Sequence, residues 1–293
     1  MTLRVVLVTR IPPVLAAFDA VVRETGHKPV ALLTMRNVDG RYGPIEMTDE
    51  LVMGAEADLD VLLPSRRATI APLLASVEPD LVVCMGFPWK IPADALAVPR
   101  LGWVNGHPSL LPLHRGPLPV AWAIRAGEDE IGITFHRMDA DLDTGPILSQ
   151  RPVPLGEPEP PDLFYPRMGL VVVEALAEAL ERLDAGDEGV PQGEGGSYES
   201  FFAGEDAWLD LSRPAAEVRR LAWSWLYAFS LGGTRGPLLE LDGTPVRVLA
   251  TSLEEVEGAR KVECADGPLW IVETEELSAE EASRSSAPAP STQ

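Results

Sequence analysis

The chain has 293 residues, of which 24 are basic and 45 acidic, giving a formal charge of −21. That length supports about two domains, and with 46% hydrophobic and 24% charged residues it excludes a wholly disordered chain. The acidic excess counts against a broad phosphate-tracking surface. No stretch reaches the roughly 18 apolar residues of a membrane span, and the first apolar run stops at Arg10, too short for a secretory signal. A cytoplasmic location is therefore expected. Cys84 and Cys264 lie far apart with no C-x-x-C pair, which reads as buried, inert thiols rather than a disulfide or zinc site.

Residues 3–9 (LRVVLVT) form a near-continuous apolar run, the mark of a strand covered on both faces. A helix is predicted over 12–25, with Pro near its start and Gly26 at its end. Strands follow at 29–34, 80–85 and 101–105, a Gly-rich charged loop at 36–47, and a helix at 67–77. Strands alternating with helices imply a parallel sheet of β-α-β units. Residues 131–138 (IGITFHRM) alternate as a strand with one wet face would, and 146–153 can pair with it as an edge. Leu170, Val173, Leu176, Leu180 and Leu183 recur at helical spacing within a predicted helix over 164–183. The Gly-rich stretch after it is predicted to link two domains, 1–185 and 206–277, through residues 186–205. In the second, a helix over 214–229 precedes short strands at 238–241, 246–251, 261–264 and 269–274, with Asp242-Gly243 as a hairpin turn. One helix with several short strands suggests a small β-barrel. The acidic run from Glu273 leads towards a polar end, 278–293, predicted to be disordered.

Chemistry concentrates in GWVNGHPSLLPLHRG, residues 102–116, where a strand runs out. Ligands of open parallel sheets bind at the carboxyl ends of strands. Asn105 and His107 are two apart, so on an extended chain they face the same side, and Pro108 holds His107 extended. Ser109 to Pro112 form a turn able to line a site with backbone groups. A second cluster, MDADLDTG at 138–145, puts Asp139, Asp141 and Asp143 just past a strand, where a carboxylate can orient a histidine or take a proton. The first strand leads into Arg10-Ile11-Pro12-Pro13, with no Gly-x-Gly-x-x-Gly turn for a dinucleotide.

Together the segments Asn105-Gly106-His107, Ser109-Leu110-Leu111-Pro112-Leu113-His114-Arg115-Gly116 and Leu142-Asp143-Thr144-Gly145 resemble the pattern of the 10-formyltetrahydrofolate-dependent formyltransferases. The resemblance covers most of residues 1–190, and Trp208 to Ala215 look like the entry to that family's C-terminal β-barrel. It implies a Rossmann-like α/β catalytic domain followed by a small OB-like barrel. It also implies a catalytic trio of Asn105, His107 and Asp143, with 10-formyltetrahydrofolate as co-substrate and no metal. The pterin is expected against Met85, Gly86, Phe87 and Trp89, against Ser109, Leu110, Leu111 and Pro112, and against the loop of Asp139 and Asp141. The reaction implied is formyl transfer to a primary amine or hydroxylamine.

Family members acting on methionyl-tRNA carry a basic loop early in the chain and a Pro-Trp-Pro-Gly stretch after the C-terminal helix. Here those places read Arg36 to Gly43, with two arginines and no lysine, and Ser230 to Thr234. A small acceptor such as an amino sugar or a siderophore or peptide precursor is therefore expected ahead of tRNA. Hydrolysis and a non-catalytic folate-binding module remain as alternatives. Outside the trio, His136 reads as a surface or packing histidine, and Arg115 either ties its loop down or meets an acidic part of a ligand. Trp223, Trp225, Tyr227 and Phe229 read as core between helix and barrel, with an acceptor platform as the second reading.

Overall fold

The computed structural model describes residues 1–35, 47–56, 58–228, 236–278 and 281. The expected loop over 36–47 (apart from the start of a helix at Met47), the stretch 230–234, Phe229 and nearly all of the predicted tail lie outside them. The chain divides into two compact units. The first comprises Met1–Gly116, Ile131–Pro154 and Asp162–Tyr198; the second comprises Pro117–Glu130, Leu155–Pro161 and Glu199–Gln293. Residues 186–198, expected as the start of a linker, thus belong to the first unit.

In the first unit, β1 (Arg4–Val8), α1 (Pro12–Glu24), β2 (Lys28–Leu33), α2 (Met47–Gly54) and β3 (Asp60–Leu62) come first. They are followed by α3 (Ile70–Val77), β4 (Leu81–Cys84), α4 (Ala93–Leu96) and β5 (Trp103–His107). The sheet runs β3-β2-β1-β4-β5 and continues through β6 (Glu130–Arg137) to β7 (Ile147–Pro154) at the edge. β1 pairs parallel with both β2 and β4, and β4 pairs parallel with β5. Strand order therefore reverses at β1, where open α/β sheets place their ligands. The apolar run of β1 is explained by cover on both faces. Val6 and Val8 enter a cluster with Ile70, Leu74 and Trp103. Val5 and Leu7 on the other face are fully buried. On α1, Phe18 meets Phe135 at 6.1 Å between ring centroids.

β6 is antiparallel to β5. It departs from expectation in its burial, which is continuous from Ile131 to His136, so neither face is wet. Helix α6 (Pro161–Asp184) buries Phe164, Met168, Val172, Ala175, Leu176, Ala179, Leu180 and Leu183. Leu170, assigned to the core by spacing, is 70% exposed, because the buried stripe passes through Met168 and Val172 instead.

The second unit has α5 (Pro119–Ala126), α7 (Ala215–Leu226) and the strands β8 (Leu238–Leu241), β9 (Thr244–Ser252), β10 (Arg260–Cys264) and β11 (Gly267–Glu276). Among the described residues these strands form a four-stranded antiparallel sheet, β10-β11-β9-β8, where a small barrel was expected. Asp242 and Gly243 turn the β8–β9 hairpin with φ of 52° and 78°, as a two-residue turn with two left-handed residues requires. Val218, Leu221 and Ala222 of α7 pack on Leu239, Val248, Leu269 and Ile271 of the sheet. The aromatic cluster faces elsewhere. Trp223 Nε1 and Tyr227 Oη donate to the Glu159 carbonyl, and Trp225 Nε1 donates to the Asp206 carbonyl with its ring edge-on to Phe202. These buried rings fasten segments 155–161 and 199–207 rather than filling a helix–barrel core. Part of the acidic run, Glu273 to Glu276, lies in β11, and Arg247 pairs with Glu275 and Glu281.

Candidate active site

All three residues of the expected trio lie in the first unit, and the fold brings them together. Asn105 and His107 both lie on β5, which reaches two residues further than the sequence suggests because His107 pairs with Thr134 of β6. Asp143 follows β6 in a loop. Its backbone has φ of 58°, a left-handed conformation uncommon for a non-glycine residue. Its Oδ1 lies 3.6 Å from His107 Nδ1 and 3.5 Å from Asn105 Nδ2, while Oδ2 accepts the Gly116 N–H at 3.0 Å.

The hydrogen bonds fix tautomers. His107 Nε2 lies 2.8 Å from the His114 carbonyl, which can only accept, so Nε2 carries the proton. In the neutral ring the lone pair is then on Nδ1, turned towards Asp143. His114 holds that carbonyl in place with φ of 55°, and its own N–H donates to Ser197 Oγ at 2.8 Å. Burial pushes the His107 imidazole below its usual value, with Asp143 offsetting part of the effect. Burial alone raises the Asp143 carboxyl, but His107, His136 and the Gly116 N–H outweigh it and hold the group at about 2. At neutral pH the pair is a carboxylate beside a neutral imidazole with a free lone pair.

His136 is a site residue that sequence reasoning missed. It is 2% exposed and stands directly across the β5–β6 pair from Asn105. Its Nδ1 donates to the Arg137 carbonyl at 2.9 Å, leaving Nε2 to accept from Asn105 Nδ2 at 3.2 Å. Nε2 also lies 3.7 Å from Asp143 Oδ1. The Asn105 amide thus gives one N–H to His136 Nε2 and turns the other towards Asp143 Oδ1 at a long 3.5 Å.

The expected folate-side residues are placed as follows. Met85 is buried just past β4, where Gly86 turns the chain with φ of 69°. Phe87 and Trp89 are half-buried and edge-to-face at 5.7 Å. Ser109 and Leu111 face inwards, so what the 109–112 turn can offer a ligand is mainly backbone. Ser109 Oγ donates to the Leu113 carbonyl, and Thr134 Oγ1 and Gln150 Nε2 pin the turn from β6 and β7. Leu110 is half-buried against Gly132, and a cis bond joins Leu111 to Pro112. Asp139 and Asp141 are exposed, and the Asp139 carboxylate is engaged within its loop by the Asp141 N–H and Thr144 Oγ1. Arg115 ties its loop down by donating to Gln192. Cys84 is buried and its thiol is pushed up to about 12, whereas Cys264 is only half-buried. Among the described residues no group of His, Cys, Asp and Glu could hold a metal ion, and no helix is long and apolar enough to cross a membrane.

Gly145 has no room for a side chain, since an added Cβ would stand 1.9 Å from the Arg137 carbonyl oxygen. Gly145→Ala is expected to force the Asp143 loop off the end of β6 and to destabilise the chain by about 1–3 kcal/mol. Chemical denaturation, read beside turnover, checks both effects.

The profile of the Formyl transferase family matches residues 5–180, more than half of the chain, and the chain belongs to that family. A methionyl-tRNA formyltransferase of Pseudomonas fluorescens Pf-5 is 35% identical over 214 residues, 71% of this chain and 64% of that protein. The match thus spans less than two thirds of that relative's length. Among solved structures, a variant of HypX from Aquifex aeolicus superposes with a TM-score of 0.67 at 20% identity, over 95% of this chain and 45% of that one. WlaRD, a sugar 3N-formyl transferase crystallised with dTDP and 5-N-formyl-THF, gives 0.66 at 14% identity over 94% and 98%.

Proposed function

We propose that the protein transfers the formyl group of 10-formyltetrahydrofolate to the primary amine or hydroxylamine of a small acceptor. The observation that carries the reading is the convergence of Asn105 and His107 on the Asp143 carboxylate, each within 3.6 Å of its Oδ1, beside a neutral imidazole lone pair. The acceptor nitrogen attacks the formyl carbon and the carbonyl oxygen becomes an oxyanion. The Asn105 N–H that makes only the long 3.5 Å contact to Asp143 Oδ1 turns to that oxygen, a contribution of about 3 kcal/mol for a single well-aimed donor. His107 Nδ1 takes the proton the amine sheds, and Asp143 stabilises the imidazolium so formed. The bond from carbon to the folate nitrogen breaks, that nitrogen regains a proton, and a formamide and tetrahydrofolate leave. Phe87 and Trp89 offer the flat apolar face, and the 109–112 turn the backbone groups, that suit a pterin.

The preference for a small acceptor rests on charge. Over residues 236–278 and 281, three basic residues stand against eleven acidic ones. All three bases are engaged: Arg247 with Glu275 and Glu281, Arg260 with Asp242, and Lys261 with Glu263. That is a poor surface for a polyanion. We read the sheet as part of a small OB-like barrel serving the acceptor, and the enzyme as cytoplasmic. A second reading, methionyl-tRNA as acceptor, is favoured by the Pseudomonas fluorescens relative.

Incubation with 10-formyltetrahydrofolate and, separately, amino sugars, methionyl-tRNA or no acceptor decides between them. Tetrahydrofolate is expected with a small amine. Release only with charged tRNA would establish the second reading, and equal release in water alone would make the protein a hydrolase.

A further inference from the structure

Gln192 stands in the Gly-rich stretch after α6, outside every motif that points to the site. Its side-chain amide is saturated. Nε2 donates to the Asp143 carbonyl and to the Gly145 carbonyl, each at 2.9 Å. Oε1 accepts from Arg115 Nε at 3.2 Å and Nη2 at 2.8 Å. An amide has two N–H groups and two lone pairs, and here all four are used.

The partners lie on two loops that are far apart in sequence. Arg115 precedes Gly116, whose N–H holds Asp143 Oδ2. Asp143 and Gly145 belong to the loop after β6. The segment carrying Gln192 is laid along the first loop, with Arg115 N–H donating to Ser197 O, Ser197 N–H to Pro112 O and His114 N–H to Ser197 Oγ. At Gly196 a Cβ would stand 2.6 Å from the Pro112 carbonyl oxygen, so only glycine lets the two strands of chain approach this closely. Asp143 itself sits at φ of 58°. A non-glycine residue holds such a conformation only when its surroundings over-determine it. Gln192 grips the carbonyl of that residue while Gly116 grips its carboxylate.

We propose that Gln192 is a positioning residue for the reaction, an amide brace that sets the distance and angle between the Asp143 carboxylate and His107 by locking the 115–116 loop to the 143–145 loop. It acts through Asp143 and needs no contact with either substrate. The proposal rests on the reading of His107 and Asp143 as base and carboxylate, and it predicts an effect that a merely structural brace would not have. The groups facing His107 are Asp143 from the loop after β6, His136 from β6 and His114 from its own loop, and Asp143 is the carboxylate among them. If Asp143 drifts, the imidazole loses the charge that favours its protonated form.

The test uses full-length Gln192→Met, which keeps length and volume without hydrogen bonds, and Gln192→Glu, which keeps the Arg115 contact but replaces the Nε2 donors. The His107 imidazole is followed by NMR titration, assigned against His107→Ala, with Asp143→Asn as reference. The expected result is a His107 titration moved to lower pH in Gln192→Met and in the same direction as in Asp143→Asn. Turnover of 10-formyltetrahydrofolate with an amino sugar should fall about 10- to 100-fold in kcat with KM for the folate within about twofold. If Gln192→Met does not fold, Gln192→Glu carries the same expectation for kcat. A Gln192→Met protein in which the His107 titration stays in place while Asp143→Asn moves it overturns the brace alone. Wild-type turnover by Asp143→Asn overturns instead the catalytic reading beneath it.

Discussion

Replacing His107 by Ala is expected to reduce formyl transfer by about two to four orders of magnitude, the range lost with a positioned general base. The imidazole is 5% exposed and its ring is fixed by the His114 carbonyl, so Nδ1 needs no reorganisation before it accepts a proton. Removing it deletes the Nδ1 lone pair that the geometry sets 3.6 Å from the Asp143 carboxylate. It also leaves the buried His114 carbonyl without that donor, a penalty of about 1–3 kcal/mol. A domain with this core can absorb that loss, so circular dichroism and thermal melting should show a folded protein with a lowered midpoint. Steady-state kinetics decides the matter: a folded His107→Ala enzyme with turnover near that of the wild type would remove the imidazole from the mechanism. His107→Asn should be no better, because an amide in that place offers a donor but no lone pair of comparable basicity.

How much of this was legible in the sequence depends on how local the determining physics is. Asn105 and His107 could be paired from spacing alone, because a strand has period 2 and both residues lie on one. Asp143 could be reached only as part of a motif, since nothing local says which of Asp139, Asp141 and Asp143 turns inwards. The answer lies in a positive φ and in the Gly116 N–H, a contact across 27 residues. His136 is buried, and its contact with Asn105 escaped the sequence for an instructive reason. Its strand alternates Gly132, Thr134 and His136 with Ile131, Ile133 and Phe135, and a polar alternate face normally means water. Here that face is the floor of the site, with Thr134 holding the 109–112 turn and His136 meeting Asn105. Only the antiparallel register, which composition does not encode, reveals it.

The same limit explains the second unit and the supposed linker. Glycines at 189, 195 and 196 read as part of a turn-rich linker, yet Gly189 and Gly195 adopt φ of 86° and 89°, and Gly196 allows a close backbone approach. Gly196 lets the segment that carries Gln192 lie against Pro112, and Gly189 lets it pass Ile147. Likewise Trp223 and Trp225 are buried, but their partners, the carbonyls of Glu159 and Asp206, lie outside the helix and strands that the sequence delineates. In the β8–β9 hairpin, by contrast, the Asp-Gly signal was sufficient because a two-residue turn is decided by its own two dihedral pairs.

Asp143→Asn is expected to lower kcat by about 10²- to 10³-fold and to move the acid limb of the pH–rate profile. The exchange preserves shape, and the Gly116 N–H can still donate to the remaining oxygen. The other oxygen, however, becomes an N–H₂ group where Oδ1 lay 3.6 Å from His107 Nδ1, so the new amide captures the lone pair that the reaction needs. The direction of the pH effect follows from the charges. Burial already lowers the His107 imidazole, and Asp143 is the first of the influences that raise it again. Without that carboxylate the imidazole stays neutral to lower pH, so the acid limb, where protonated His107 can no longer act as a base, moves to lower pH even as the plateau falls. Stability changes with the opposite emphasis. The native Asp143 carboxyl is held at about 2 against an ordinary 3.8, so its contribution is present above 3.8 and is lost as pH falls through 2. Asp143→Asn should therefore lack the part of the wild-type acid destabilisation that falls between roughly pH 4 and 2, measurable as a shallower decline of the urea midpoint over that window. An unmoved acid limb together with undiminished turnover would show that the carboxylate, although placed beside the imidazole, does not act on it.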